Sequence, residues 1–329
     1  MSAERVFVTG ASGQDGGLLV ARLLADGAEV VALVRAEDEG AQRLTEAGVE
    51  IVVGDLADLE GLADAVDAAS PSLVVNLGGI SSVAESWRSP ARTGLVSGAA
   101  VAAIVEGAWR VEARTGSAPR LVQASSSEIF GDAPTTPQTE ATPIAPVSPY
   151  GAAKAYAHRI VQLARARGMH ASNAILYNHE SPARPMSFVT RKITHGVARI
   201  AAGVDDGLAL GNLDARRDWG WAPDYVDAML RMARADVAGD WIVATGEART
   251  VRDFVGAAFA AAGVEDWEDL VTVDPRFVRP ADVATMVGDA SRLRAELGWA
   301  PTVAFDDVVA AMVHHDVAII GAQAAQHDG

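Results

Sequence analysis

A glycine-rich turn near the start of the chain constrains its fold more than any other feature. The apolar run Val6–Val8 precedes the turn, and the apolar helical stretch Leu18–Leu24 follows it. The turn itself has glycines at Gly10, Gly13 and Gly16. Such glycines allow a tight turn and let the backbone approach a pyrophosphate at the N-terminus of the helix. The sequence therefore predicts a βαβ unit that binds a dinucleotide.

Strand-like and helical runs alternate over the first half of the chain. The further strand-like runs are Glu29–Val34, Glu50–Val53, Leu73–Leu77, Arg120–Ala124 and Ser172–Tyr177. Alanine-rich amphipathic segments near residues 59–69, 95–114 and 150–167 fill the gaps between them. This alternation predicts an α/β fold of the Rossmann type, a doubly wound parallel sheet with its ligands beyond the carboxyl ends of the strands.

The pattern becomes irregular after Tyr177, with prolines, many arginines and shorter apolar runs. We interpret residues 1–177 as the dinucleotide-binding domain and residues 178–329 mainly as a smaller substrate-binding lobe. A segment near residues 218–246 is expected to return to the first domain, because Trp241–Thr245 resembles a further strand.

Composition limits the classes of function. The net charge of −16 argues against a nucleic-acid binder, which needs a basic surface. The chain has no cysteine, so thiol chemistry and disulfides are excluded. No apolar run is read as long enough to span a membrane, and a cytoplasmic protein is expected. An anionic small substrate remains possible where a few arginines gather.

A tyrosine and a lysine share one predicted helix face. Ser148 suits the N-cap and Pro149 the first position of a helix, and the spacing of Tyr150 and Lys154 places both side chains on one side of it. The ammonium is expected to lower the pKa of the phenol, so that the phenolate acts as a base. The spacing alone is also typical of an exposed helix face.

Cofactor choice depends on the end of the second strand. Arg35 follows that strand and favours the 2′-phosphate of NADP over the free ribose of NAD. Glu37 and Asp38 lie close by and weaken this prediction, and Arg35 could be an ordinary surface arginine. Asp55 and Leu56, after the third strand, are placed to meet the adenine.

The segment Gln123–Gly131 comes at the end of a central strand, where a reacting carbonyl would lie. Ser126 can donate a hydrogen bond to a substrate oxygen that Tyr150 deprotonates. Glu128 adds a carboxylate that simple carbonyl reduction does not need. An exposed loop glutamate is the alternative.

These motifs resemble the short-chain dehydrogenase/reductases of the extended type, and within them the GDP-mannose 4,6-dehydratase family. The resemblance covers almost the whole chain. The matching stretches are Thr9–Gly16, Gln123–Gly131, Ser148–Lys154, Asn178–Pro182, Phe188–Ile193, Gly211–Gly220, Arg279–Pro280 and Leu297–Trp299.

The resemblance implies a dehydration that is redox-neutral overall. Tyr150, held by Lys154, would remove the sugar O4 proton while hydride leaves C4, and Glu128 would remove the C5 proton so that water leaves from C6. Ser126 stands where the family usually has threonine. A GDP-sugar is the implied substrate, and a homodimer or homotetramer the implied assembly.

The resemblance also implies the remaining site residues. The cofactor is NADP, and no metal is implied, since no partners at ligand spacing surround His179. The implied NADP-binding residues are Gly10, Ala11, Ser12, Gly13, Gln14, Asp15, Arg35, Asp55, Leu56, Leu77, Ser81, Lys154, His179 and Arg184. The implied substrate-binding residues are Asn178, Lys192, Arg217 and Arg279.

Some positions depart from the family pattern. Ile80 and Ser82 replace a glutamine and a histidine, Ala36 a second arginine, and Asp282 a glutamate. They leave two alternatives open: a related nucleotide-sugar dehydratase or epimerase with another substrate, and a non-catalytic NADP-binding regulator.

Overall fold

The structure, a computed structural model, describes residues 3–277 and 283–327, without the side chains of residues 324–327. Its strands are β1 (Arg5–Thr9), β2 (Glu29–Val34), β3 (Glu50–Val53), β4 (Leu73–Asn76), β5 (Arg120–Ser126), β6 (Ala171–Leu176), β7 (Asn178–Glu180), β8 (Leu208–Leu210), β9 (Arg216–Trp221), β10 (Asp240–Val243), β11 (Ala248–Thr250), β12 (Val271–Val273) and β13 (Thr285–Met286). Its α-helices are α1 (Gln14–Ala25), α2 (Ala41–Glu46), α3 (Leu59–Ala69), α4 (Val83–Arg88), α5 (Pro90–Gly94), α6 (Ala100–Thr115), α7 (Pro149–Ala166), α8 (Val189–Ala201), α9 (Ala222–Arg234), α10 (Val251–Ala261), α11 (Ser291–Leu297) and α12 (Phe305–His327).

The main sheet is parallel, with its strands in the order β10-β6-β5-β4-β1-β2-β3. Successive side chains of a strand point to opposite faces, so helices must cover both faces of such a sheet. Val6 and Val8 of β1 pack with α1 and α9 on one face, whereas Phe7 packs with α3, α6 and α7 on the other. The predicted doubly wound α/β fold is confirmed.

The glycine turn brings β1 and α1 close to a neighbouring strand. Gly10 has φ of +70°, and a Cβ added there would lie 2.8 Å from the backbone nitrogen of Gly78, just beyond β4. Only glycine fits both the backbone angle and this approach. The helix begins at Gln14, four residues before the predicted apolar stretch, so its free N–H groups point towards the end of the sheet.

The helix predicted near residues 95–114 starts earlier, at Pro90, because proline is suited to the first turn of a helix. It continues through one π-helical turn, Leu95–Ala99, into α6. By length and composition, Pro90–Thr115 could span a membrane, which corrects the expectation that no run is long enough. Its most apolar stretch is 61% buried, against α3 and α7, as in the core helix of a globular protein.

Smaller sheets follow the main one. β9 lies between β11 and β13 and also pairs with β7, and β12 pairs with β8. A separate apolar core joins β8, β9 and β12 to α8, α10 and α12, with Trp219 and Phe254 in contact at 5.3 Å between ring centroids. The chain returns to the main sheet at β10, which pairs in parallel with β6.

Candidate active site

A cleft of about 470 Å³ opens at the carboxyl ends of β1, β2 and β4. Its volume is that of an ordinary small-molecule site. The glycine turn and the N-terminus of α1 form its floor, where backbone N–H groups favour a phosphate. The residues present therefore fit a dinucleotide.

Most of the predicted cofactor residues line this cleft. They are Gly10, Ser12, Gly13, Gln14, Asp15, Arg35, Asp55, Leu56, Leu77, Ser81 and Arg184. Ala11, Lys154 and His179 are not among the lining residues, and all three are buried. The lining also contains Asp38, Arg92 and Phe188, which were not predicted as cofactor residues.

A chain of buried polar side chains lies beneath the cleft. The Thr9 hydroxyl donates to Asn76, and Asn76 Nδ2 donates to Gln123 Oε1 at 2.6 Å. Gln123 Nε2 donates to the Ala124 carbonyl at 2.8 Å, which also accepts from Lys154 Nζ at 2.8 Å. Buried polar groups need such partners, so this chain fixes the strand ends and Lys154 together. The signal in the sequence was a polar last residue in each of two apolar strands, Thr9 in β1 and Asn76 in β4.

The start of α7 has the predicted form. Ser148 Oγ accepts a hydrogen bond from the Gly151 N–H at 3.0 Å, and Pro149 occupies the first turn. Tyr150 and Lys154 lie on one buried face of the helix, 9% and 6% exposed. The ammonium lies 5.8 Å from the centre of the tyrosine ring. The alternative of an exposed helix face is thereby excluded.

The expectation that the pKa of Tyr150 is lowered beside Lys154 is wrong. Burial raises the pKa of Tyr150 to about 12, although hydrogen bonding with Ser126 acts in the opposite direction. Burial also lowers the pKa of Lys154, to about 8. The four-residue spacing correctly predicted that Tyr150 and Lys154 share a helix face, but not that this face is buried. Removal from water disfavours the charged form of both side chains.

Lys154→Met is expected to stabilise the protein at neutral pH. The pKa of Lys154 falls from 10.5 to about 8 on folding, so the unfolded chain binds more protons than the folded protein between these values. Stability therefore rises with pH in this window, and below pH 8 the buried charge costs about 3 kcal/mol. Losing the bond to Ala124 offsets about 1 kcal/mol of that.

We expect a net gain of about 2 kcal/mol at pH 7 that becomes a net loss of about 1 kcal/mol above pH 10.5, measured by urea unfolding at both pH values. Lys192→Met, at a half-buried lysine, is the matched control and should gain less. Equal stability of Lys154→Met and the parent protein at pH 7 would contradict this cost of burial.

Ser126 and Glu128 lie at the end of β5 beside Tyr150. The backbone N–H of Glu128 donates to Ser126 Oγ at 3.2 Å, which turns the chain into the short 3₁₀ helix Ser127–Ile129. The Glu128 carboxylate is close enough to Tyr150 to raise its pKa. A hydroxyl, a phenol and a carboxylate are thus grouped at one strand end.

His179 positions Asp15 from below the cleft. Its Nδ1 donates to the Tyr177 carbonyl at 2.7 Å, and its Nε2 to Asp15 Oδ2 at 2.8 Å. Because both partners accept, the ring carries both protons. Burial opposes this charge, but Asp15 raises the pKa of His179 overall. Within the described part of the chain, no three His, Cys, Asp or Glu side chains are grouped as a metal site requires.

Arg184 stands at the mouth of the cleft. Its Nε lies 3.2 Å from Glu180 Oε2, an ion pair without the alignment of a hydrogen bond. Its guanidinium lies 3.7 Å from the centre of the Phe188 ring. These contacts hold a positive charge on the cleft wall, where a diphosphate can be neutralised.

Three of the predicted substrate residues, Asn178, Lys192 and Arg217, lie on the smaller sheet and on α8. Arg217 Nη1 donates to the Val283 carbonyl at 2.7 Å, and Asn178 begins β7, which pairs with β9. Lys192 Nζ lies 3.4 Å from the centre of the Phe277 ring, and burial lowers its pKa. Arg279 and Asp282 lie outside the described residues.

Comparison with known proteins identifies relatives over nearly the full chain. The family model described as GDP-mannose 4,6 dehydratase matches residues 7–312. The chain is 41% identical to GDP-mannose 4,6 dehydratase 1 of Arabidopsis thaliana, covering 94% of this chain and 89% of that protein. It is 38% identical to GDP-mannose 4,6 dehydratase of Homo sapiens, covering 95% and 91% respectively.

A solved structure shares the fold with a nucleotide in place. The structure of RMD from Pseudomonas aeruginosa complexed with NADPH superposes with a TM-score of 0.79 at 25% identity, covering 96% of this chain and 98% of that one.

Proposed function

The chain belongs to the GDP-mannose 4,6 dehydratase family, and we propose that Ser126, Glu128, Tyr150 and Lys154 carry out its reaction. It is an NADP-dependent hydro-lyase that converts GDP-mannose into GDP-4-dehydro-6-deoxy-mannose. One observation supports the assignment of the residues: the buried Tyr150 is near both the Ser126 hydroxyl and the Glu128 carboxylate. This combination suits an oxidation followed by an elimination.

In the proposed first step, Tyr150 takes the proton from the sugar O4. Ser126 hydrogen-bonds the same oxygen, and Lys154, fixed by the Ala124 carbonyl, supplies a nearby positive charge that stabilises the Tyr150 phenolate before it takes this proton. When bound, NADP accepts hydride from C4 and later returns it to C6. The 4-keto group then makes the C5 proton acidic.

In the proposed second step, Glu128 takes the C5 proton. The electron pair of that bond forms a C5–C6 double bond, and the C6 hydroxyl leaves as water with the proton that Glu128 has taken. Hydride addition at C6 and transfer of the proton held by Tyr150 to C5 complete the product, so no net oxidation occurs. A simple C4 epimerisation needs no base at C5, which is why the carboxylate beside Tyr150 favours the dehydratase.

We propose that one side of the site binds NADP and the other binds the GDP-sugar. NADP would lie on the glycine turn, with Arg35, Asp55 and Leu56 at the adenosine end. The GDP-sugar would be held by Asn178, Lys192, Arg217 and Arg279. Residues 178–329 would then form mainly the substrate lobe and residues 1–177 the cofactor domain, which the segment near residues 218–246 completes.

A homodimer or homotetramer and a cytoplasmic location belong to the same proposal. Tyr156 and Leu163 of α7, seven residues apart on one face, are 49% and 66% exposed. Association through this face of α7 would cover both side chains. Light scattering of the purified protein should give at least twice the chain mass of 34.1 kDa, and a mass of one chain would refute the assembly.

The activity is tested by mass spectrometry of GDP-mannose incubated with the purified protein and catalytic NADP. The expected product is lighter by one water, and no net reduced cofactor should form. An unchanged mass, with other nucleotide sugars converted instead, would overturn the substrate. If no nucleotide sugar is converted, the chain is a binding protein.

A further inference from the structure

The loop after β2 places a fixed carboxylate in the cofactor cleft. Asp38 lines the same end of the cleft as Arg35, Asp55 and Leu56. Asp38 Oδ2 accepts from the Ser12 hydroxyl at 2.7 Å, and Asp38 Oδ1 accepts from the Gly40 N–H at 2.8 Å. Two hydrogen bonds therefore hold this half-buried side chain against the glycine turn.

The loop lies too close to the turn for the carboxylate to swing aside freely. A Cβ added at Gly40 would lie 2.6 Å from Ser12 Cβ, so glycine allows the close approach. Because the loop and the glycine turn are this close, the Gly40 N–H and the Ser12 hydroxyl both donate to the Asp38 carboxylate. Asp38 is thus a positioned anion rather than a mobile surface charge.

This arrangement disfavours binding of the 2′-phosphate of NADP. The hydroxyl of Ser12 and the N–H of Gly40 are donors that a phosphate at this end could have used, and Asp38 occupies both. The cation of this loop, Arg35, is exposed, and its Nη1 lies 3.9 Å from Glu37 Oε1. Residues 35–39 carry one positive and three negative charges, a poor setting for a dianion.

A ribose 2′-hydroxyl fits the same setting better. A carboxylate after the second strand accepts a hydrogen bond from this hydroxyl in NAD, whereas an arginine pairs with the 2′-phosphate of NADP. Arg35 and Asp38 present both groups at one end of the cleft.

We propose that Asp38 is a specificity-determining residue that opposes the 2′-phosphate and lets the cleft bind NAD as well as NADP. The inference rests on the cofactor named under the proposed function. It concerns the binding of the nucleotide alone and not the conversion of the sugar.

The test is equilibrium binding of NADPH and NADH, measured by calorimetry without any sugar nucleotide. Asp38→Asn keeps the shape and one acceptor oxygen for the Gly40 N–H while removing the charge, and its new NH2 can donate to Ser12 Oγ. We expect it to tighten NADPH binding by about tenfold and to leave NADH unchanged or weaker. The gain for NADPH should shrink as salt is added, because it is electrostatic.

Glu39→Gln is the matched control, an exposed neighbour outside the cleft lining that loses the same charge and should tighten NADPH binding much less than Asp38→Asn does. Equal changes for both nucleotides in Asp38→Asn would overturn the inference and make Asp38 a structural residue. No change for either nucleotide would also overturn it, as would undetectable NADH binding by the parent protein. GDP-mannose turnover is assayed separately, so its failure would refute the proposed function and leave this result intact.

Discussion

Tyr150→Phe is expected to lower kcat for GDP-mannose dehydration by about 10³-fold, the usual range for loss of a general base. The change deletes one oxygen and keeps the ring that packs at the start of α7. Without the phenol, the O4 proton has lost its base as hydride leaves C4. Hydride transfer should therefore be lost, while GDP-mannose and NADPH still bind.

The measurement is rapid mixing with GDP-mannose, following reduced nicotinamide, together with calorimetry for binding. Tyr156→Phe is the matched control, because Tyr156 lies on the same helix but is 49% exposed. A Tyr150→Phe protein that transfers hydride at the parent rate would refute the role of Tyr150. Equal losses in both variants would point to damage to the helix instead.

Local signals in the sequence predicted the scaffold of the site well. Three such signals depend only on neighbouring residues: the strand–glycine–helix order, the Ser148 cap and the four-residue spacing of Tyr150 and Lys154. The structure has all three. The depth at which Tyr150 and Lys154 lie depends on packing by the rest of the chain. That is why the pKa shift of Tyr150 was predicted in the wrong direction: burial, which raises this pKa, exceeds the opposing hydrogen bond with Ser126.

Contacts between distant parts of the chain were also beyond sequence reasoning. His179 supports Asp15 across 164 positions, and no local pattern distinguishes such a histidine from one that touches the cofactor directly. The Asp38 carboxylate was noticed as a nearby charge, but its bond to Ser12 requires the fold of the loop. Pro90 was a helix-start signal that the longer apolar run after it concealed.

Glu128→Gln is expected to separate the two halves of the reaction. The amide has nearly the shape of the carboxylate but cannot take the C5 proton. C4 oxidation by Tyr150 should continue, so reduced nicotinamide should accumulate on the enzyme after GDP-mannose is added. Release of dehydrated product should fall by about 10³-fold, because elimination has lost its base.

Exchange of the C5 hydrogen identifies the step that is lost. In deuterium oxide the parent enzyme should label C5 of the product, and Glu128→Gln should leave C5 of the recovered sugar unlabelled while the reduced cofactor persists. Asp132→Asn, a nearby exposed carboxylate, is the control and should dehydrate GDP-mannose normally. Unchanged turnover in Glu128→Gln would remove Glu128 from the mechanism. Loss of C4 oxidation as well would show that the carboxylate instead supports Tyr150, because the two groups interact in the folded protein.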